Sequence, residues 1–316
     1  MNIKIINDVD MSGNLHLQQV MKAMNDVFQD LYLDREKSPP RTIIQYGSSE
    51  MLVSPAAWIR HCVASVKITT ITPDNSKLGL PLIHGVVVLT DTKTGQIMAL
   101  LNGASLTALR TAAVAGLATN LCASLHAGDL AILGAGVQAR STLLSMLMVR
   151  QISRVRIFSR SPARTDIFAN WARTVTIAEV IICSNVFEAI QGADIICTTT
   201  STNDTVALIK SEWVASGAHV NIIGGTHEEA IEVDPSLLKS AFVVVETTYA
   251  AQNEAGEIRA ALKHQYINTE DINELGALAS GKIMKNKGQT TVFRSVGLAI
   301  EDTAAAFAIY QLKKEI

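Results

Sequence analysis

The stretch "LAILGAGVQA" sets Gly134, Gly136 and Ala139 at G-x-G-x-x-A spacing behind an apolar run. Glycines so spaced allow a tight turn and let the backbone approach a pyrophosphate, which rests on the start of the next helix, here Val137 and Gln138. At the end of the following strand, such folds usually carry an acid for the ribose 2′-hydroxyl. This chain has none there: "IFSRSPAR" offers Ser159, Arg160, Ser161 and Arg164. Hydroxyls and permanently charged guanidinium forks suit a 2′-phosphate, so NADPH is the expected cofactor, with NADH as the alternative. Without that chemistry, the two arginines read as part of a solvated loop.

Two further cations stand in apolar surroundings. Lys67 lies in "VASVKITTI", where it alternates with apolar residues. Such a lysine either faces solvent on a half-buried strand or is partly desolvated, with a lowered pKa that suits it to donate a proton. Arg110 lies in "ASLTALRTAAVAG", beside Thr111, at what reads as the mouth of an alanine-rich helix over 112–125.

The elements that must position these residues fall into two groups. Residues 15–32 have helical apolar spacing, the prolines of "KSPPRTIIQY" end that helix, and "TIIQY" reads as a strand. "VASVKITTI", "IHGVVVLTD" and "QIMALLNG" form an antiparallel region whose last two strands make a hairpin across "TKTG". After residue 128 the pattern alternates strand and helix, the mark of βαβ units and a parallel sheet. The expected fold is α/β: residues 1–113 form an α+β substrate-binding and dimerisation domain, and 114–297 a Rossmann-type doubly wound domain. A terminal helix over about 298–316 returns to the first domain.

Composition narrows the partners. The 316 residues allow two domains of ordinary size, and 48% hydrophobic against 18% charged residues excludes a disordered chain. A net charge of -2, with no basic block, argues against nucleic acid or an anionic membrane as partner. Cys62, Cys122, Cys183 and Cys197 are scattered at no metal-ligand spacing, so no metal is expected and reduced, buried thiols are. "MNIKIINDVD" lacks the apolar core of a signal peptide, and no apolar run reaches the roughly 18–20 residues of a membrane span, so the expected location is cytoplasmic.

"LTALRTAAVAGLA", "ILGAGVQAR", "NIIGGTHEEAIEVD" and "VFRSVGLAIEDTAAA", in that order and spacing, resemble the ornithine cyclodeaminase/mu-crystallin family from about residue 60 onward. The resemblance implies a homodimeric oxidoreductase in which a substrate domain precedes the nicotinamide-binding domain. It places the substrate-carboxylate arginines on Arg41 and Arg110 and the active-site lysine on Lys67. It puts Thr111, Thr199, Thr200 and Ser201 near the cofactor, and Ser295, Val296 and Gly297 near the nicotinamide. Arg110 is then read as lying at a hinge between the domains. Read alone, Arg41 is also compatible with an exposed strand edge.

The chain departs from the family at one informative place. After the Gly-Gly of "IGGTHEEAIE", the cyclodeaminases and alanine dehydrogenases carry an aspartate that handles protons; here Thr226 stands there, before His227, Glu228 and Glu229. A threonine hydroxyl can hydrogen-bond a substrate but is no base near neutral pH. The resemblance together with this departure implies reduction of a cyclic imino acid, Δ1-pyrroline-2-carboxylate or Δ1-piperideine-2-carboxylate, to L-proline or L-pipecolate. Ornithine cyclodeamination, alanine dehydrogenation and NADPH binding without turnover follow in that order.

Overall fold

The computed structural model describes residues 3–11, 13–34, 38–225 and 227–314, so Thr226 lies outside the described residues. The chain divides into two compact units, Met1–Arg110 with Gly297–Ile316, and Thr111–Val296.

The first unit holds β1 (Lys4–Ile6), α1 (Asn14–Tyr32), β2 (Thr42–Tyr46), β3 (Ser49–Trp58), β4 (Val63–Ile71), β5 (Ile83–Asp91), β6 (Ile97–Asn102) and the start of α2 (Gly103–Cys122). The strands form one sheet in the order β1-β6-β5-β4-β3-β2, antiparallel except for the β1–β6 pair. α1 buries Leu17, Val20, Met24, Val27 and Phe28, residues three or four apart that share one face. β3 is invisible to a pattern reading because Pro55 interrupts it. The proline is tolerated because β2 ends where Thr42 meets Val53, which leaves Pro55 paired only on the β4 side, opposite Val66.

The structure corrects one expectation here. α2 starts at Gly103, not at 112, because the Asn102 side chain accepts the Ser105 N–H at 3.0 Å and caps the helix early. Arg110 therefore sits well inside a continuous helix rather than at its mouth.

The second unit comprises β7 (Asp129–Leu133), α3 (Val137–Val149), β8 (Arg154–Phe158), α4 (Pro162–Val175), β9 (Glu179–Ile182), α5 (Val186–Ile190), β10 (Ile195–Thr198), β11 (His219–Ile222), β12 (Phe242–Val245), α6 (Thr248–Glu254), α7 (Gly256–Lys263), β13 (Ile272–Glu274), α8 (Leu275–Ala279) and β14 (Thr291–Arg294). Its eight strands are all parallel, in the order β13-β12-β14-β11-β10-β7-β8-β9. This is a Rossmann-type, doubly wound sheet: chain order reverses direction between β7 and β10, and ligands bind such sheets outside the carboxyl ends of the strands at that reversal. Most strand residues are apolar and buried, as burial on both faces requires. His219 is an exception on β11; its Nδ1 lies 2.8 Å from Thr291 Oγ1, and burial pushes its pKa down to about 3.

The chain then re-enters the first unit as α9 (Ala299–Leu312), which packs on β3, β4, β5 and α1. Among the described residues, no helix is long and apolar enough to cross a membrane.

Candidate active site

The glycine loop leaves β7 at the reversal point. Gly134 has φ +120°, and a Cβ there would come within 2.5 Å of Thr199 Oγ1. The loops after β7 and β10 thus touch closely, since the same Cβ would lie 2.8 Å from Thr199 O and Thr199 N–H donates to Leu133 O at 2.8 Å, while Gly134 N–H donates to Phe158 O at the end of β8 at 2.8 Å. Gly136 caps α3 with its backbone alone; no described side chain caps that helix and no acid lies in its first turn. Nothing would meet a Cβ at Gly136, and Val137 is exposed. An open, uncapped start to a helix of this length suits a pyrophosphate, so the residues present fit a dinucleotide.

The loop after β8 is built by its own hydroxyls. Ser159 Oγ lies 2.9 Å from Thr165 Oγ1, and Ser161 caps α4 by accepting Arg164 N–H. Arg160 and Arg164 project as exposed side chains. The loop after β10 is held from below: Thr199 Oγ1 donates to Leu133 O at 3.0 Å, and Thr200 Oγ1 to Glu232 Oε1 at 2.6 Å. Ser201 is exposed and Thr111 is buried on α2.

Sequence reasoning missed the buried polar frame behind these loops. Glu232 also accepts Thr198 Oγ1 at 2.6 Å, and burial pushes its carboxyl above the usual glutamate range. Arg294 pairs with Glu257 at 2.9 Å and donates to the carbonyls of Gly224 and Ser295 at 2.8 Å and of Gly225 at 2.6 Å. Glu246 accepts Ser295 Oγ at 2.7 Å and Val296 N–H at 2.8 Å. Beyond Gly225, His227, Glu228 and Glu229 are exposed; His227 Nδ1 accepts the Glu229 N–H, and Glu228 pairs with Arg259 at 3.2 Å.

The first unit collects the remaining cations around Gly297 and α9. Lys67 Nζ, on β4, lies 2.7 Å from Asp302 Oδ2. Arg110 Nη1 donates to Glu301 Oε2 at 2.9 Å, and its Nε lies 3.5 Å from Asp302 Oδ1. Arg41, just before β2, donates from Nη2 to Gly297 O at 3.1 Å. Gly297 has φ +81°, and a Cβ on it would meet the Arg110 guanidinium at 2.8 Å. One glycine thus joins the two arginines, its carbonyl bound to Arg41 and its Cα against Arg110. Burial pulls the Lys67 pKa below the ordinary lysine range; Asp302 opposes this and Arg110 adds to it.

Arg41, Lys67 and Arg110, expected to act together, are therefore brought together, while Glu301 and Asp302 are additions that sequence reasoning overlooked. The available signal was two adjacent acids in "GLAIEDTAAAFAIY", where an apolar helix has no solvent-facing reason to carry them.

A model of the ornithine cyclodeaminase/mu-crystallin family matches residues 2–315. A Δ1-pyrroline-2-carboxylate reductase of Bacillus cereus (strain ZK / E33L) is 32% identical over 307 residues, covering 93% of this chain and 94% of that protein. The ketimine reductase mu-crystallin of Mus musculus is 32% identical over 274 residues, covering 86% of this chain and 84% of that protein. Among solved structures, Thermococcus litoralis Δ1-pyrroline-2-carboxylate reductase in complex with NADH and L-proline superposes with a TM-score of 0.91 at 29% identity, covering 99% of each chain.

Proposed function

Because the chain belongs to the ornithine cyclodeaminase/mu-crystallin family, we propose that it is an NAD(P)H-dependent reductase of a cyclic imino acid. Δ1-Pyrroline-2-carboxylate is the substrate, giving L-proline, and Δ1-piperideine-2-carboxylate is its companion, giving L-pipecolate. The observation that carries this reading is the cluster around Gly297: Arg41, Lys67 and Arg110 against Glu301 and Asp302, an excess of one positive charge. That excess matches one substrate carboxylate. A guanidinium has five N–H donors, so Arg41 and Arg110 can hold the carboxylate while keeping their contacts to the protein.

A bound reduced nicotinamide supplies the hydride taken by the imine carbon. Lys67 supplies the proton: its Nζ–H bond breaks as the ring N–H bond forms, and the neutral amine left behind recharges from solvent. Its lowered pKa favours this, since a donor works best with a pKa near the working pH. Among the described residues after Gly225, His227, Glu228 and Glu229 are exposed; His227 Nδ1 accepts the Glu229 N–H, and Glu228 pairs with Arg259. Thr226, where the cyclodeaminases of the family carry an aspartate, supports imine reduction over ornithine cyclodeamination, because a hydroxyl is no base near neutral pH.

Gly134, Gly136, Val137, Gln138, Thr111, Thr199, Thr200, Ser201 and Val296 hold the dinucleotide, and exposed Arg160 and Arg164 beside Ser159 and Ser161 support a preference for NADPH. The exposed apolar residues Ile43, Ile44 and Tyr46 of β2 support assembly as a homodimer.

The decisive experiment follows cofactor oxidation with Δ1-pyrroline-2-carboxylate, alongside ammonia release from ornithine and NADH oxidation with pyruvate plus ammonia. Imine reduction with a higher kcat/KM for NADPH than for NADH is expected. Ornithine turnover without imine reduction would overturn the reading, and tight NADPH binding without any turnover would replace it with a binding role.

A further inference from the structure

Buried carboxylates are costly unless something specific repays them, and α9 carries two, Glu301 and Asp302. Glu301 has a local reason to be there. Its Oε1 accepts the Leu298 N–H at 2.7 Å, satisfying a backbone donor at the start of the helix, while Oε2 takes Arg110. Asp302 has no such helix-end role. One of its oxygens meets Lys67 at 2.7 Å, and the other lies 3.5 Å from Arg110.

The geometry is clamped on both sides. Thr303, the next residue, lies 2.8 Å from Ser65 Oγ, so α9 is fixed to β4 two residues before Lys67 and on the same strand face. Across the sheet, Lys67 is flanked by Ser54 on β3 and Val87 on β5, neither of which carries charge. Among the described residues, the charged groups that act most strongly on Lys67 are Asp302 and Glu301 from α9 and Arg110 from α2, with Arg41 on the far side of Gly297.

We propose that Asp302 is a positioning residue for the proton donor: it holds Lys67 as an ammonium and fixes its Nζ, so that α9 rather than β4 decides the state of the reacting group. The role of Lys67 rests on the reading under Proposed function; its pairing with Asp302 does not. Burial and Arg110 both favour the neutral amine, and Asp302 is the main group opposing them. The sign of the effect is then fixed. A donor must be protonated, so imine reduction falls as pH rises through the Lys67 pKa. Removing an anion lowers that pKa and moves the alkaline limb to lower pH.

The test is the pH profile of kcat/KM for Δ1-pyrroline-2-carboxylate in the wild type, Asp302→Asn and Asp302→Glu. In Asp302→Asn the alkaline limb should move down by about one to two pH units, while Asp302→Glu restores the wild-type midpoint even if kcat is lower. A merely structural aspartate would lower the rate without moving the limb. A parallel titration of the Lys67 13Cε signal, in protein labelled with [ε-13C]lysine and assigned by Lys67→Arg, needs no substrate. If the signal moves with Asp302→Asn but no imine is reduced, the proposed reaction falls and the positioning role stands. If imine is reduced and neither limb nor signal moves in folded Asp302→Asn, the positioning role falls. Should Asp302→Asn fail to fold, the wild type still decides: the Lys67 13Cε and Asp302 carboxylate 13C signals should share an inflection, and independent inflections would overturn the proposal.

Discussion

The Arg294–Glu257 pair of the second unit and the Lys67–Asp302 pair of the first are similar in length, 2.9 and 2.7 Å, but not in access to water. Both side chains of the former are 1% exposed, whereas Lys67 keeps 14% of its side chain open. The difference extends to what each cation holds. Arg294 spends its donors on the carbonyls of Gly224, Gly225 and Ser295, and so fixes backbone. Lys67 meets a carboxylate and keeps a face free. The sealed pair fixes the backbone around it, and in the reaction proposed here the open face of Lys67 is the side from which its proton is passed on and replaced.

The sharpest way to break that contrast is Arg294→Met, which strands the buried Glu257 carboxylate and frees the 224–225 turn. Unfolding free energy should drop by about 3–5 kcal/mol in urea titrations, whatever the substrate or cofactor present. A loss below about 1 kcal/mol would show that the sealed pair is not scaffolding. Lys67→Met probes the other side. Imine reduction should fall by about 10²–10⁴-fold while NADPH affinity, read by fluorescence titration, stays within about twofold. Its stability loss should be smaller than that of Arg294→Met, because Arg110 remains within 3.5 Å of Asp302; a normal kcat would remove Lys67 from the reaction.

A third, smaller effect concerns a buried group that pairs with no charge. His219, with its pKa pushed down to about 3, stays neutral in the fold while the unfolded chain protonates near pH 6.5. Its folded pKa is depressed, so the stability it contributes is present above about pH 6.5 and is lost progressively as pH falls toward 3. The slope from this residue is about 1.4 kcal/mol per pH unit. His219→Gln should flatten the measured fall of unfolding free energy between pH 6.5 and 5 by that amount, and an unchanged slope would mean that His219 charges inside the fold.

How much was legible in the sequence followed from how local each signal was. The glycine loop could be read because its turn, its helix start and the strand before it are contiguous. The Rossmann-type sheet showed in the switch from antiparallel hairpin signals to strand–helix alternation. Lys67 and Arg41 were ambiguous residue by residue, and only the resemblance to a family singled them out. Asp302 stood in plain view as an acid in an apolar helix, yet no periodicity could match it to a lysine far back in the chain on β4. The start of α2 was misplaced because its cap is an asparagine at the end of a strand, where a hairpin reading saw only the turn's continuation.

The proline of β3 has a consequence for the protein's behaviour in crowded solution. Past Val53 the strand has no partner on its β2 side among the described residues, and an unpaired strand edge invites another chain to add itself. Pro55 occupies that stretch and offers no N–H to an incoming strand, so the ladder that would seed edge-to-edge aggregation cannot continue through it.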